Sequence, residues 1–311
     1  MRVAALVHLI VGHLAVAAAE EAVAVVAVNF KDRVGLGWRP EISAHILQHL
    51  DHIDVLEVIA DNYFSASQKD IQSLEFLARQ TSVSLHGVGM GLASSQPVEL
   101  RYLERMARLV NRVRPEFWSE HLAFVRAGSI EIGHLAAPPR NQETVAVTVN
   151  NIQAARNIVG SLPHMENIAT LIQPPASSLA EGQWITEIIE KSEAPFLLDL
   201  HNLYANAKNF GQEPLELLQQ LPLAHLNSIH LSGGCWIKEI DGQGERLLDD
   251  HIHDVPEDIF ELLTYVAQIT PQNLMVIIER DGNFPAFDQL LEQLDLARRA
   301  LQKGRELRSA S

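Results

Sequence analysis

The sequence predicts a single-domain α/β fold, the TIM (β/α)8 barrel, on three observations. From Arg33 onward, β-like apolar runs alternate with segments of helical periodicity, the signature of βα units. The alternation repeats eight times, the number of units that closes such a barrel. Seven stretches along it carry metal-ligand residues at the end of an apolar run or in the loop beyond: VSLHG, FWSEH, HMEN, LLDLHN, NSIH, LDDHIH and VIIER. Carboxylates and imidazoles are costly to bury unless paired or bound to a cation. Their recurrence over about two hundred residues is the pattern of a metal site at one rim of a parallel barrel.

The elements follow in order. Strand one spans 33–39 and contains VGLGW; Pro40 suits the first turn of a helix over 44–50. DVLEVIA (54–60) is strand two, with its helix over 68–79. Strand three is 83–88, followed by a helix over 98–113; strand four is 117–124, with a helix over 143–159. Strand five is 164–168 with helix 181–191, and strand six 196–203 with helix 214–221. Strand seven is 226–231 with helix 257–267, and strand eight 274–279 with helix 287–301. Parallel strands need crossovers of this length. The two long loops, 126–142 and 232–255, lie after strands four and seven. The second contains Gly233, Gly234, Gly242 and Gly244.

The barrel is assigned to 33–303, with a tail at 304–311 and a leading extension at 1–32. The extension is awkward. Arg2 precedes an apolar run, Val3 to Ala19, that resembles a signal peptide. His8 and His13 interrupt it, and a membrane span would have to continue through Glu20 and Glu21. A leading segment on a cytoplasmic, non-membrane protein is the expectation.

Composition narrows the class. The chain of 311 residues is 47% hydrophobic and 20% charged, as folded globular proteins are. Its net charge of −15 opposes nucleic-acid binding, which needs clustered cations. The arginines of 101–114 have helical spacing and read as a solvated face. Cys235 is the single cysteine, which excludes an internal disulfide and a thiolate cluster and leaves N and O donors for any metal.

The seven stretches offer His86, Glu120, His121, Glu166, Asn167, Asp199, His201, Asn202, His230, Asp249, His251 and Glu279 as candidates for metal ligands. Alternation along a strand places Glu120 and His121 on opposite faces, while Asp199 and His201 share one. One of Glu120 and His121, and one of Glu166 and Asn167, is then expected behind the ligands. His164 opens strand five at the other end of the barrel. So many mixed donors point to two or three metal ions; iron, manganese and zinc fit imidazole with carboxylate, whereas calcium does not use so many imidazoles.

The ordered strings GLGWRPE (35–41), LEVIADNYF (56–64), SLHGVGMGLAS (84–94), SEHLAF (119–124), Glu166-Asn167, LLDLHNLYANAKNFG (197–211), IHLSGG (229–234), DDHIHDV (249–255) and IIERDGNFP (278–285) resemble the multinuclear non-haem iron-dependent oxidases, the family of the methanobactin biosynthesis oxidase. The resemblance runs from Arg33 to about Arg298. It implies two or three irons, dioxygen as co-substrate, and oxidation of a ribosomally made precursor peptide, most often at cysteine. It also implies a small leader-binding partner protein. Carried onto this chain, it implies His86, Glu120 or His121, Glu166, Asp199, Asn202, His230, Asp249, His251 and Glu279 as ligands, with Asp199, His230 and Asn202 the expected catalytic residues and Asp61, Asn62, Asn167 and His201 the expected pocket lining. One departure stands out: the family writes EVHxENY where this chain has EVIADNY, so Ile59 replaces an imidazole and Asp61 a Glu.

Two other readings use the same residues. One is a divalent-metal-dependent hydrolase or isomerase of the endonuclease and sugar isomerase barrel class. The other is an inactive metal-binding scaffold, to which Ile59 lends some support.

Overall fold

A computed structural model describes residues 31–128, 130–238 and 244–310. The signal-peptide-like run with His8 and His13 lies outside the described residues. With all strands numbered in chain order, the barrel strands are β1 (Arg33–Gly37), β2 (Val55–Ile59), β3 (Ser82–His86), β4 (Trp118–His121), β7 (His164–Glu166), β8 (Phe196–Asp199), β9 (Leu226–Leu231) and β12 (Met275–Ile278). They pair in parallel, each with its neighbours in the chain, and β12 closes on β1. The eight-stranded (β/α)8 barrel is therefore as the sequence predicts.

Each strand is short and buried on both faces, and so reads as an apolar run with isolated polar residues. Outward residues such as Leu56, Leu85, Trp118 and Ile229 pack under the helices in one large core. The helix Leu100–Val113 shows the complementary pattern: Leu103, Met106, Leu109 and Val113 face in, while Arg108 and Arg112 pair with Glu104 and Glu75 at the surface. The basic stretch is thus a solvated helix face.

The barrel interior has two layers. The lower one is apolar, with Val55, Met275 and Ile277 packed together beside Phe117. His164 belongs to it, stacked on Phe117 at 3.9 Å and bonded to Ser228 Oγ at 2.9 Å. The upper layer, toward the C-terminal ends, is almost entirely charged or polar.

The structure adds what the sequence reading left as loop or ran together. Strand four ends at His121, and residues beyond it form an antiparallel hairpin, β5 (Phe124–Ala127) with β6 (Ile130–Ala136). A second hairpin, β10 (Gly234–Lys238) with β11 (Glu245–Asp249), rises from the loop after β9. The expected strand 196–203 ends at Asp199, where a helix, Leu200–Asn209, begins at once. The last helix runs from Phe287 to Ser309, and Arg305 on it binds Asp32 at the start of the barrel.

Candidate metal centre

The upper layer is built strand by strand. On β12, Met275 and Ile277 fill the lower layer, so the next inward position, Glu279, emerges above them. The same alternation lifts His230 above Ser228 on β9, Glu166 above His164 on β7, and Glu57 above Val55 on β2. Asp199 arrives differently. It caps the helix Leu200–Asn209, its Oδ1 accepting from Asn202 N at 2.6 Å, and its orientation is fixed by that turn.

Glu166, Asp199, His230 and Glu279 each bring one donor atom within 4.8 Å of the others, and all four are buried. His230 Nδ1 lies 3.2 Å from Glu166 Oε1 and 3.1 Å from Glu279 Oε2. A second group, His86, His121 and Glu166, meets the same distance limit. In it both imidazoles approach the other Glu166 oxygen, His86 at 3.5 Å and His121 at 3.4 Å.

The electrostatics are those of a crowded acidic site. Burial raises Asp199 well above the ordinary carboxylate range, and the nearby Asp249 and Glu166 raise it further. Burial works against the charge of Glu279 and Glu166 as well, but His230 outweighs it and holds both below their usual values. Burial alone would lower His230 and His121. Glu279, Glu57 and Glu166 lift His230 well up, and Glu166 with Glu120 takes His121 to about 9. Buried Glu166 Oε2, Asp199 Oδ2 and Asn202 Oδ1 have no hydrogen-bond partner. Buried carboxylate oxygens left without a hydrogen-bond partner beside imidazoles are what a divalent cation would satisfy, so the donor set fits one.

The remaining sequence candidates surround this group. Glu120 faces away from it: its Oε1 accepts from His121 N at 2.9 Å and its Oε2 from Met90 N at 3.2 Å. Asn167 holds Asp199 from behind, accepting from its N at 2.9 Å and donating to its O at 3.0 Å. Asn202 donates to Asn167 O at 3.1 Å. His201, which starts the helix instead of continuing a strand, reaches Asp249 Oδ1 through Nδ1 at 2.7 Å. Its ring leaves room for Gly234 alone; a Cβ there would lie 2.5 Å from His201 Cε1. His251 Nε2 stands 2.7 Å from Asp249 Oδ2, too poorly aligned for a hydrogen bond, and its Nδ1 lies 3.5 Å from Glu279. His251 has φ 56°, a left-handed conformation unusual for a side chain this large, secured by backbone bonds to Gly233 and Asp281. Asp61 accepts from Val88 N at 2.9 Å; burial, then Glu120, pushes it up to about 6. Asn62 is exposed and is not drawn into the group.

Sequence reasoning missed Glu57. It is fully buried, and its Oε2 lies 3.0 Å from His230 Nε2. The available signal was a lone charge in the middle of an apolar strand, VLEVI.

Above the donors opens a cavity of about 480 Å³. Its polar wall includes His121, Asn202, Asp249 and His251, and its apolar wall includes Ile168, Leu171, Ile172 and Leu248.

A metal-binding barrel enzyme is the class that the fold and the donor set suggest, and comparison with known proteins gives the family. The profile of the family described as "RiPP precursor modification enzyme MbnB/TglH/ChrH" matches residues 33–302, and the chain belongs to that family. A UPF0276 protein of Caulobacter vibrioides is 31% identical over 280 residues, covering 88% of this chain and 96% of that protein. A UPF0276 protein of Streptomyces avermitilis is 32% identical over 277 residues, covering 86% of this chain but 55% of the longer relative. Among solved structures, a xylose isomerase domain protein from Planctomyces limnophilus superposes with a TM-score of 0.57 at 16% identity, covering 90% of this chain and 99% of that one. D-psicose 3-epimerase from Clostridium cellulolyticum H10 gives 0.53 at 11% identity, covering 89% and 98%. Likeness at such identities establishes the fold.

These findings correct the oxidase reading attached to the resemblance. In place of a multinuclear iron centre with dioxygen, the layer's largest donor group is the four-donor set from four strands, the complement of a single ion; the triad His86, His121 and Glu166 shares its Glu166. His86 and His121 lean on the outer oxygen of its Glu166. The expectation of a precursor-peptide substrate and a leader-binding partner is corrected with it: the cavity over the donors has the volume of a small-molecule site. The oxidoreductase and peptide-modification assignments fall with these. No helix among the described residues is long and apolar enough to cross a membrane.

Proposed function

We propose that this chain is a divalent-metal-dependent enzyme of the isomerase or epimerase type, acting on a small polyhydroxy molecule. The observation that carries the reading is the four-donor group Glu166, Asp199, His230 and Glu279 below a cavity with one polar and one apolar wall. These four residues would hold the ion. When bound, it would supply Lewis acidity to a carbonyl or hydroxyl oxygen of the substrate.

The chain's own groups supply the rest. Asp249 and His251 form an acid–base pair at the cavity wall, suited to taking a proton from a carbon beside a carbonyl and returning it. His201 fixes Asp249 through its second contact, so the carboxylate cannot swing away. Asn202 Oδ1, buried and without a partner, is placed to accept from a substrate hydroxyl. Ile168, Leu171 and Ile172 give the cavity its apolar side, against which the carbon skeleton of the substrate would lie. His86 and His121 hold the charge of Glu166 from its outer side. The single cysteine is consistent with a reducing, cytoplasmic setting.

Incubating the protein with Mn²⁺, Co²⁺ or Zn²⁺ and a panel of ketoses in D2O tests the reading. The expected result is metal-dependent deuterium incorporation beside the carbonyl, lost in His251→Ala. No exchange with any ion, together with oxygen uptake on a cysteine peptide, would overturn it.

A further inference from the structure

We propose that Glu57 is a positioning residue for the ion site: it accepts from His230 Nε2–H and so turns Nδ1 of the same ring toward Glu166, Asp199 and Glu279. The proposal deepens the reading above and rests on it. The two ring nitrogens face opposite ways in the structure. Nε2 lies 3.0 Å from Glu57, while Nδ1 lies 3.1 Å from Glu279 and 3.2 Å from Glu166. Glu57 is not among the four converging donors, so it stands behind the ring and outside the ion's reach.

Its burial is otherwise unexplained. Both side chains of the pair are 0% exposed. Oε1 of Glu57 has no hydrogen-bond partner, and Ser84, opposite it in the β2/β3 register, has an orphaned Oγ as well. Arg39 is near enough to feel the charge but spends its guanidinium on Asp281. A carboxylate retained in a barrel interior solely for packing would be better replaced by an apolar residue. A carboxylate behind a metal-binding imidazole has a role: it fixes the tautomer and ring orientation and raises the basicity of the ligating nitrogen.

Two measurements test the proposal. In the wild-type protein loaded with Zn²⁺ and labelled with ¹⁵N-histidine, His230 should show a protonated Nε2 and a metal-bound Nδ1, its signal assigned with His230→Gln. By chelator competition, Glu57→Gln should bind Zn²⁺ about 10–100-fold more weakly than wild type, and Glu57→Leu, which cannot accept at all, more weakly still. Zn²⁺ bound through Nε2 of His230, or affinity within about twofold of wild type in both folded variants, would overturn the role of Glu57 and leave the ion site standing. Failure of the wild type to bind Zn²⁺ would overturn both. If neither variant folds, the nitrogen assignment in the wild type decides.

Discussion

Two histidines buried inside the same barrel behave in opposite ways. His164 sits in the lower layer on Phe117 and Ser228, and burial pushes it down to about 3. His230, in the layer above, is at least as deeply buried yet is raised well above its ordinary value by Glu279, Glu57 and Glu166. Burial is common to both, so the carboxylates decide. One strand register separates a packing histidine from one set among metal ligands: His164 bonds Ser228, and His230 stands two residues further along β9.

Removing each imidazole should expose that difference most. His230→Ala leaves Glu57, Glu166 and Glu279 buried without their cation, and a broken buried pair costs about 3–5 kcal/mol. We expect a loss of that order in urea unfolding of the metal-free protein, together with loss of the bound metal. His164→Ala should leave metal content unchanged.

Acid should act on the lower histidine next. The folded value of His164, about 3, lies below its unfolded value of 6.5. The unfolded chain therefore binds the extra proton, and the stability present above pH 6.5 is lost progressively as pH falls toward 3. The slope from this group approaches about 1.4 kcal/mol per pH unit. Denaturant midpoints from pH 7 to pH 4 should fall less steeply in His164→Gln. An unchanged slope would show that other groups dominate.

A smaller effect should come from Asn167, which clamps the Asp199 backbone from both sides. Asn167→Ala should cost about 1–3 kcal/mol, as a buried polar group left unpaired does, and should weaken metal binding through Asp199. Thermal melts with and without Zn²⁺ would check both effects.

The sequence made the barrel legible because eight apolar runs alternate with helical periods, and it made the rim legible because ligand residues end those runs. It misled at LLDLHN, where Leu200 and Leu203 extend the apolar run although Asp199 carries the signature of a helix cap. Face alternation was then applied to residues that are helical. The hairpins β5/β6 and β10/β11 were hidden in polar, glycine-bearing segments whose pairing is antiparallel and local. Glu57 was missed because a single charge between Val55 and Ile59 looks like a flaw in a strand; the structure shows it behind His230. The number of ions was overread, since a list of donors does not reveal which stand behind others.

Metal stoichiometry with anomalous diffraction tests the central claim most directly. One divalent ion per chain is the expected result, bonded to Glu166, Asp199, Glu279 and Nδ1 of His230. Two or three irons spread across His86, His121 and Asp249, in a protein that consumes oxygen on a peptide, would contradict it.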